Sequence, residues 1–145
     1  MKIGIVSDHN GYELKGKIIK EFKSIEFIDL GTNSKESVDY PDYAFKLGKA
    51  INNKDVELGI AICGSGIGMS IACNKVKGIR CARVTTIKDV KVTKNDNNPN
   101  IIALSSDINF FKVKRMIEEF LNTPFSNDER HNRRINKISE YELTN

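Results

Sequence analysis

Three stretches of this chain put reactive side chains at spacings that suit one kind of chemistry. The first is Cys63-Gly64-Ser65-Gly66-Ile67-Gly68. Alternate glycines let the backbone take positive φ and aim successive N–H groups at one point, forming a nest for an anion. A helix starting near Gly68 would add the positive end of its dipole. Cys63 stands at the mouth of the nest, where a ring of donors favours the thiolate form of a sulfur and equips it as a nucleophile or a base. The second stretch is Asp8-His9, two polar residues closing an apolar run. The third is Arg130-His131-Asn132-Arg133-Arg134, in which Arg130 and Arg134 are four apart and share one helical face. Two guanidiniums so placed suit bidentate capture of a phosphate. Each stretch also has a plainer reading: a tight strand-to-helix turn, a hydrogen-bonded strand end, a solvated basic face. Cys73 and Cys81 read as small buried hydrophobes.

The elements that must carry these residues are legible in the apolar pattern. Ile3 to Val6 suits a strand buried on both faces, and Leu14, Ile18 and Phe22 are spaced as a helical stripe, with Lys15, Lys17, Lys20 and Glu21 between them. Phe27 to Leu30 reads as a strand. A helix is expected to begin at Pro41, with Ala44, Leu47, Gly48 and Ile51 as its small apolar face. Leu58 to Ile62, Cys81 to Val84 and Ile101 to Leu104 are three more strands. A short helix is expected over Ile87 to Thr93, a loop over Asn95 to Asn100, and a helix on the stripe Phe110, Val113, Met116, Ile117, Phe120 and Leu121. Five strands interleaved with helices predict one α/β domain over residues 1–145, a parallel sheet with helices on both faces. Ligands of such sheets bind at the carboxyl ends of the strands. Asp8-His9, the Cys63 turn and the Asn-rich loop before the fifth strand are all expected there.

The composition excludes several classes. The 145 residues are 39% hydrophobic and 29% charged with only 3 Pro, which suits a folded protein. Lys and Arg number 23 against 19 Asp and Glu, a net +4 that gives little support for a polyanionic partner; no nucleic acid is expected. The longest uncharged stretch, Leu58 to Asn74, is broken by Gly59, Gly64, Gly66 and Gly68, so no membrane span is expected. Three cysteines with no C-x-x-C spacing argue against a disulfide framework or zinc ribbon and for a reducing cytoplasm. No metal or other cofactor is expected. G-x-x-x-x-G-K-[ST] is absent, and G-x-G-x-x-G fails because Met69 stands where its last glycine belongs, which argues against a nucleotide-binding module.

Taken together, Ser7 to Lys15, Asp39-Tyr40-Pro41-Asp42-Tyr43-Ala44, Ile62 to Ala72 and Asn74-Lys75-Val76 through Gly78-Ile79-Arg80 resemble the ribose-5-phosphate isomerase B family, which includes the subunits of galactose-6-phosphate isomerase. The resemblance runs from Met1 to about Ile138. It implies a Rossmann-like three-layer sandwich working as a homodimer or homotetramer, with active sites built across a subunit interface where the C-terminal helix, about residues 128–140, packs. It also implies cofactor-free aldose–ketose isomerisation of a sugar phosphate, ribose 5-phosphate to ribulose 5-phosphate, through an enediolate. Cys63 would move the proton between C1 and C2, and the N–H groups of Gly64, Gly66, Ile67 and Gly68, with Ser65, would stabilise the enediolate oxygen. Asp8, His9 and Tyr40 would line the sugar site, Asn97 would hold a hydroxyl, and Arg130 and Arg134, helped by His9 or His131, would grip the phosphate.

Three positions depart from the family pattern. Asp96 stands where the resemblance implies a ring-opening histidine, Asp107 where it implies a phosphate-binding arginine, and Val84-Thr85-Thr86 replaces a Cys-His-Asp stretch. An anion replacing a cation beside a phosphate is unfavourable. Three readings fit: Asp96 itself works as the ring-opening acid–base; the substrate is another sugar phosphate, such as a hexose 6-phosphate, or an already linear one; or the chain is a silent or heteromeric subunit.

Overall fold

Runs such as Ile3-Gly4-Ile5-Val6 and Leu58-Gly59-Ile60-Ala61-Ile62 have no polar face, so they persist as strands only where helices cover both sides. The computed structural model of the chain, which describes residues 1–145, has that arrangement. In order the elements are β1 (Lys2–Ser7), α1 (Tyr12–Glu21), β2 (Glu26–Asp29), α2 (Tyr40–Asn52), β3 (Leu58–Cys63), α3 (Ile67–Cys73), β4 (Cys81–Arg83), α4 (Ile87–Asn97), β5 (Ile101–Ser105), α5 (Phe110–Asn122) and α6 (Glu129–Thr144). The five strands form one all-parallel sheet in the order β2-β1-β3-β5-β4.

Alternate residues of each strand feed two separate cores. Ile3, Ile5, Ile60, Ile62, Ile102 and Leu104 meet Leu14 and Ile18 of α1, Val90 of α4, and Val113, Met116, Ile117 and Phe120 of α5. Burying each such side chain contributes about 1.5–3 kcal/mol. The opposite face is built from smaller residues, Val6, Ala61, Cys63 and Ala103, against Ala44 and Leu47 of α2 and Met69, Ala72 and Cys73 of α3. Gly4 and Gly59 let α2 sit close, since a Cβ on either would lie within 3 Å of Leu47 Cδ1. The last helix, α6, buries no residue fully and lies outside both layers, against α4.

Two expectations change. The segment Asn95–Asn97 is the last turn of α4 rather than a loop; Thr93 Oγ1 donates to Asn97 Oδ1, and Asn98, in the left-handed region at φ 44°, ends the helix. Asn takes that conformation more readily than other non-glycine residues, so an Asn-rich end can close a helix as well as form a loop. Lys15, read as polar surface, is only 1% exposed: its Nζ donates to Asp29 Oδ1 (2.6 Å) and the Thr32 carbonyl (2.5 Å), which satisfies a buried cation. The helix after the glycine turn starts at Ile67, beside Gly68 as expected, and has seven residues.

Candidate active site

The direction in which the sheet grows reverses beside β1: β2 flanks it on one side and β3 on the other. A crevice opens at such a switch point beyond the carboxyl ends of the strands. Ser7 of β1 pairs with Ile62 of β3, and the Asp8 N–H continues the ladder onto the Ile62 carbonyl (3.1 Å), so Asp8 and Cys63 leave the sheet side by side. Asp8 is almost wholly buried; its Oδ1 accepts from the N–H groups of Asn10 (2.9 Å) and Gly11 (3.0 Å), which fixes the carboxylate at the start of α1.

After β3 the chain exposes donors for a reason visible in its hydrogen bonds. The carbonyls of Cys63, Gly64 and Ser65 are tied, in turn, to the Ser106 N–H (2.9 Å), the Ser105 hydroxyl (2.7 Å) and Arg83 Nε (3.0 Å). In a trans peptide the N–H points opposite its carbonyl. Pulling three consecutive carbonyls toward the ends of β5 and β4 therefore turns the following N–H groups the other way. The Gly66 N–H donates to Cys63 Sγ at 3.2 Å, while those of Gly64, Ser65 and Gly68 donate to no atom of the chain. Gly66 must be glycine: its φ is +76°, and a Cβ would lie 3.0 Å from the Leu104 carbonyl carbon. Ser65 Oγ accepts from Ile67 N–H (3.1 Å), fixing its rotamer. Cys63 retains 4% exposure beneath these donors.

His9 and Tyr40 complete this edge. His9 Nδ1 accepts from Val38 N–H (3.2 Å), which in the neutral ring leaves the proton on Nε2. The Tyr40 ring packs on Gly68, where a Cβ would come within 2.7 Å of its Cζ. Asp107 lies on the same edge, two residues beyond β5, exposed and in no ion pair.

The other expected site residues are elsewhere, and this corrects the expectation of one convergence at the carboxyl ends. A segment that precedes a parallel strand lies at the amino edge of the sheet. Asn100, just before β5, accepts from Gly59 N–H (2.8 Å) near the start of β3, four residues or about 13 Å from Cys63. Asn97 and Asp96 lie beyond it on that edge. His131 joins them: Nε2 is 3.6 Å from Asp96 Oδ1 and Nδ1 is 2.7 Å from Ser126 Oγ. Arg130 and Arg134, on the first turns of α6, are exposed and unpaired, whereas Arg133 pairs with Glu129 (2.9 Å). One chain thus carries two half-constellations on opposite edges: a sulfur with free donors, and a carboxylate–imidazole pair with two free guanidiniums.

The sequence reading missed Arg83 and Ser105. The available signal was a polar residue ending an otherwise apolar strand, at the edge where Cys63 ends its own. No three His, Cys, Asp or Glu side chains come together as a metal site, the three cysteines are unpaired, and no helix is long and apolar enough to cross a membrane.

The sequence profile described as Ribose/Galactose Isomerase matches residues 3–138. The chain is 34% identical to ribose-5-phosphate isomerase B of Escherichia coli, over 97% of this chain and 96% of that one. It superposes on ribose-5-phosphate isomerase B of Clostridium thermocellum with a TM-score of 0.95 at 41% identity, covering 99% of both chains. The Mycoplasma genitalium enzyme, solved with bound ribulose-5-phosphate, gives 0.92 at 38% identity over 99% of this chain and 97% of that one.

Proposed function

The chain belongs to the ribose/galactose isomerase family, and we propose that it interconverts ribose 5-phosphate and ribulose 5-phosphate through an enediolate, at sites shared between two copies. The observation that carries the reading is the turn after β3, where Cys63 Sγ accepts from the Gly66 N–H and the neighbouring N–H groups of Gly64, Ser65 and Gly68 donate to nothing in the chain. Aldose–ketose isomerisation needs a base beside a carbon-bound proton and donors for the oxygen that gains charge. The Cys63 thiolate takes the proton from C2 of the open-chain aldose. The electron pair moves into the C1–C2 bond and the charge onto the oxygen at C1, where the free N–H groups receive it. Return of the proton to C1, with the C2 hydroxyl proton transferred to the C1 oxygen, yields the ketose with no change in overall redox state. Asp8, His9 and Tyr40 line the carbon chain and hydroxyls.

The second half of the site comes from a second copy. Arg130 and Arg134 have no anionic partner in their own chain, and they hold the phosphate with His131. Asn97 holds a sugar hydroxyl, and Asp96 with His131 beside it opens the sugar ring by acid–base catalysis. A homodimer, or a dimer of dimers, that sets α6 of one copy over the β3 turn of the other satisfies both halves. Three unpaired thiols suit a reducing compartment such as the cytoplasm.

The test is conversion of ribose 5-phosphate by the purified chain, compared with Cys63→Ala. Loss of at least about a hundredfold in kcat is expected for the variant. Equal conversion by both would remove Cys63 from the mechanism, and no conversion by the parent would remove the substrate assignment.

A further inference from the structure

Arg83 is the last residue of β4, exposed at the carboxyl edge, and no carboxylate lies within ion-pair distance of it. Its Nε donates to the Ser65 carbonyl at 3.0 Å. That carbonyl belongs to the same peptide unit as the Gly66 N–H, which donates to Cys63 Sγ at 3.2 Å. A cation on the oxygen of an amide draws electron density away from its nitrogen, and hydrogen bonds in such a chain strengthen one another. We propose that Arg83 is a positioning residue that acts through the Ser65–Gly66 peptide, aiming and strengthening the Gly66 N–H so that Cys63 is held as a thiolate.

The inference rests on the isomerase reading only for its purpose; the effect on the sulfur is a property of the resting chain. The titratable and charged groups on the elements around the turn are Lys2 at the far end of β1 with Asp8 and His9 after it, Tyr40 and Asp42 at the start of α2 with Tyr43, Lys46 and Lys49 further along it, Cys73 on α3, Cys81 and Arg83 on β4, and Asp107 after β5. Asp8 and Asp107 oppose negative charge on the sulfur. The hydrogen bond with the Cys73 thiol, and then burial, push the Cys81 thiol up, so it stays neutral and adds no further negative charge. Arg83 is the cation of this set that hydrogen-bonds the turn itself. Its two Nη atoms make no hydrogen bond within the chain, so the charge is not spent elsewhere.

The experiment follows alkylation of Cys63 by iodoacetamide, read by mass spectrometry of its own peptide so that Cys73 and Cys81 do not interfere, from about pH 6 to about pH 10.5. The full chain is compared with Arg83→Met and Arg83→Lys. For Arg83→Met the rate is expected to fall about threefold or more near pH 7 and to converge with the parent at the alkaline end, and Arg83→Lys is expected to recover part of the loss. Superposed profiles, or a uniform slowing at every pH with no recovery by lysine, would overturn the proposal, the latter because it reports access and not charge. If Arg83→Met does not fold, Arg83→Gln takes its place under the same criteria. The reading needs no sugar phosphate: an inactive parent with the shifted profile would sink the isomerase assignment alone, and an active parent with superposed profiles would sink the role of Arg83 alone.

Discussion

Replacing Gly66 by Ala tests whether the geometry of the β3 turn is dictated by one residue. Gly66 sits at φ +76°, ψ −13°, in the left-handed region, which costs an L-residue about 1–2 kcal/mol. The added Cβ would lie 3.0 Å from the Leu104 carbonyl carbon, 3.2 Å from Ser105 N and 3.3 Å from Leu104 O. All three are backbone atoms of a central strand and cannot swing aside, so crowding adds about 1–3 kcal/mol. The expected loss is about 2–5 kcal/mol of unfolding free energy, a large part of the 5–15 kcal/mol typical of a domain. If the turn rotates to relieve the strain, the Gly66 N–H leaves Cys63 Sγ and the free donors move with it. Losing one oxyanion donor costs about 10²–10³ in kcat. Gly16→Ala is the control: Gly16 is inside α1 with nothing within 4 Å of a Cβ, and the substitution is expected to stabilise by up to about 1 kcal/mol. Urea unfolding and isomerase assays on both variants measure these effects. A Gly66→Ala protein within about 0.5 kcal/mol of the parent and with unchanged kcat would refute the reasoning.

Lys15→Met removes the cation buried between Asp29 and the Thr32 carbonyl, leaving that carbonyl short of a donor; a loss of about 2–4 kcal/mol is expected in urea unfolding, moderated because Asp29 is partly solvated. Asp89, in the first turn of α4, is held below the usual carboxylate range by the Thr85 backbone N–H and the Thr85 and Thr86 side chains. A lowered folded value means that the stabilisation is full above the unfolded value of about 3.9 and is lost as pH falls through the folded one. Asp89→Ala is therefore expected to cost up to about 1 kcal/mol near neutral pH, reduced by solvent screening, and the gap to the parent should close in acid, as unfolding at several pH values would measure.

Much of the fold is legible in the sequence because fully apolar strands and 3.6-residue stripes leave little choice of layer. The stripe Val113, Met116, Ile117 and Phe120 lies buried as its spacing demands, and the glycine turn adopts the positive φ that its composition invites. The less legible parts depend on tertiary partners. Lys15 is buried because Asp29 and Thr32 wait for it 14 and 17 residues away, a pairing that periodicity does not encode. Asp96 and Asn97 extend α4 because Asn98 supplies a left-handed cap where the local composition suits a loop equally well. The placement of those two residues was available from topology, since what precedes a parallel strand lies at its amino edge. That one fact moves Asp96 and Asn97 from the carboxyl edge, where Cys63 lies, to the opposite one.

If a working site takes its sulfur from one copy and its guanidiniums from another, two differently disabled chains must restore activity when paired. Cys63→Ala and the double variant Arg130→Ala/Arg134→Ala are co-expressed with different tags, and the mixed dimer is isolated by both. Each homomeric variant is expected to fall below about a hundredth of parental activity, and the mixed dimer to recover about half, because one of its two sites is then intact. A mixed dimer no more active than either homomeric variant would contradict this arrangement, since it would put Cys63 and the arginines to work within a single chain.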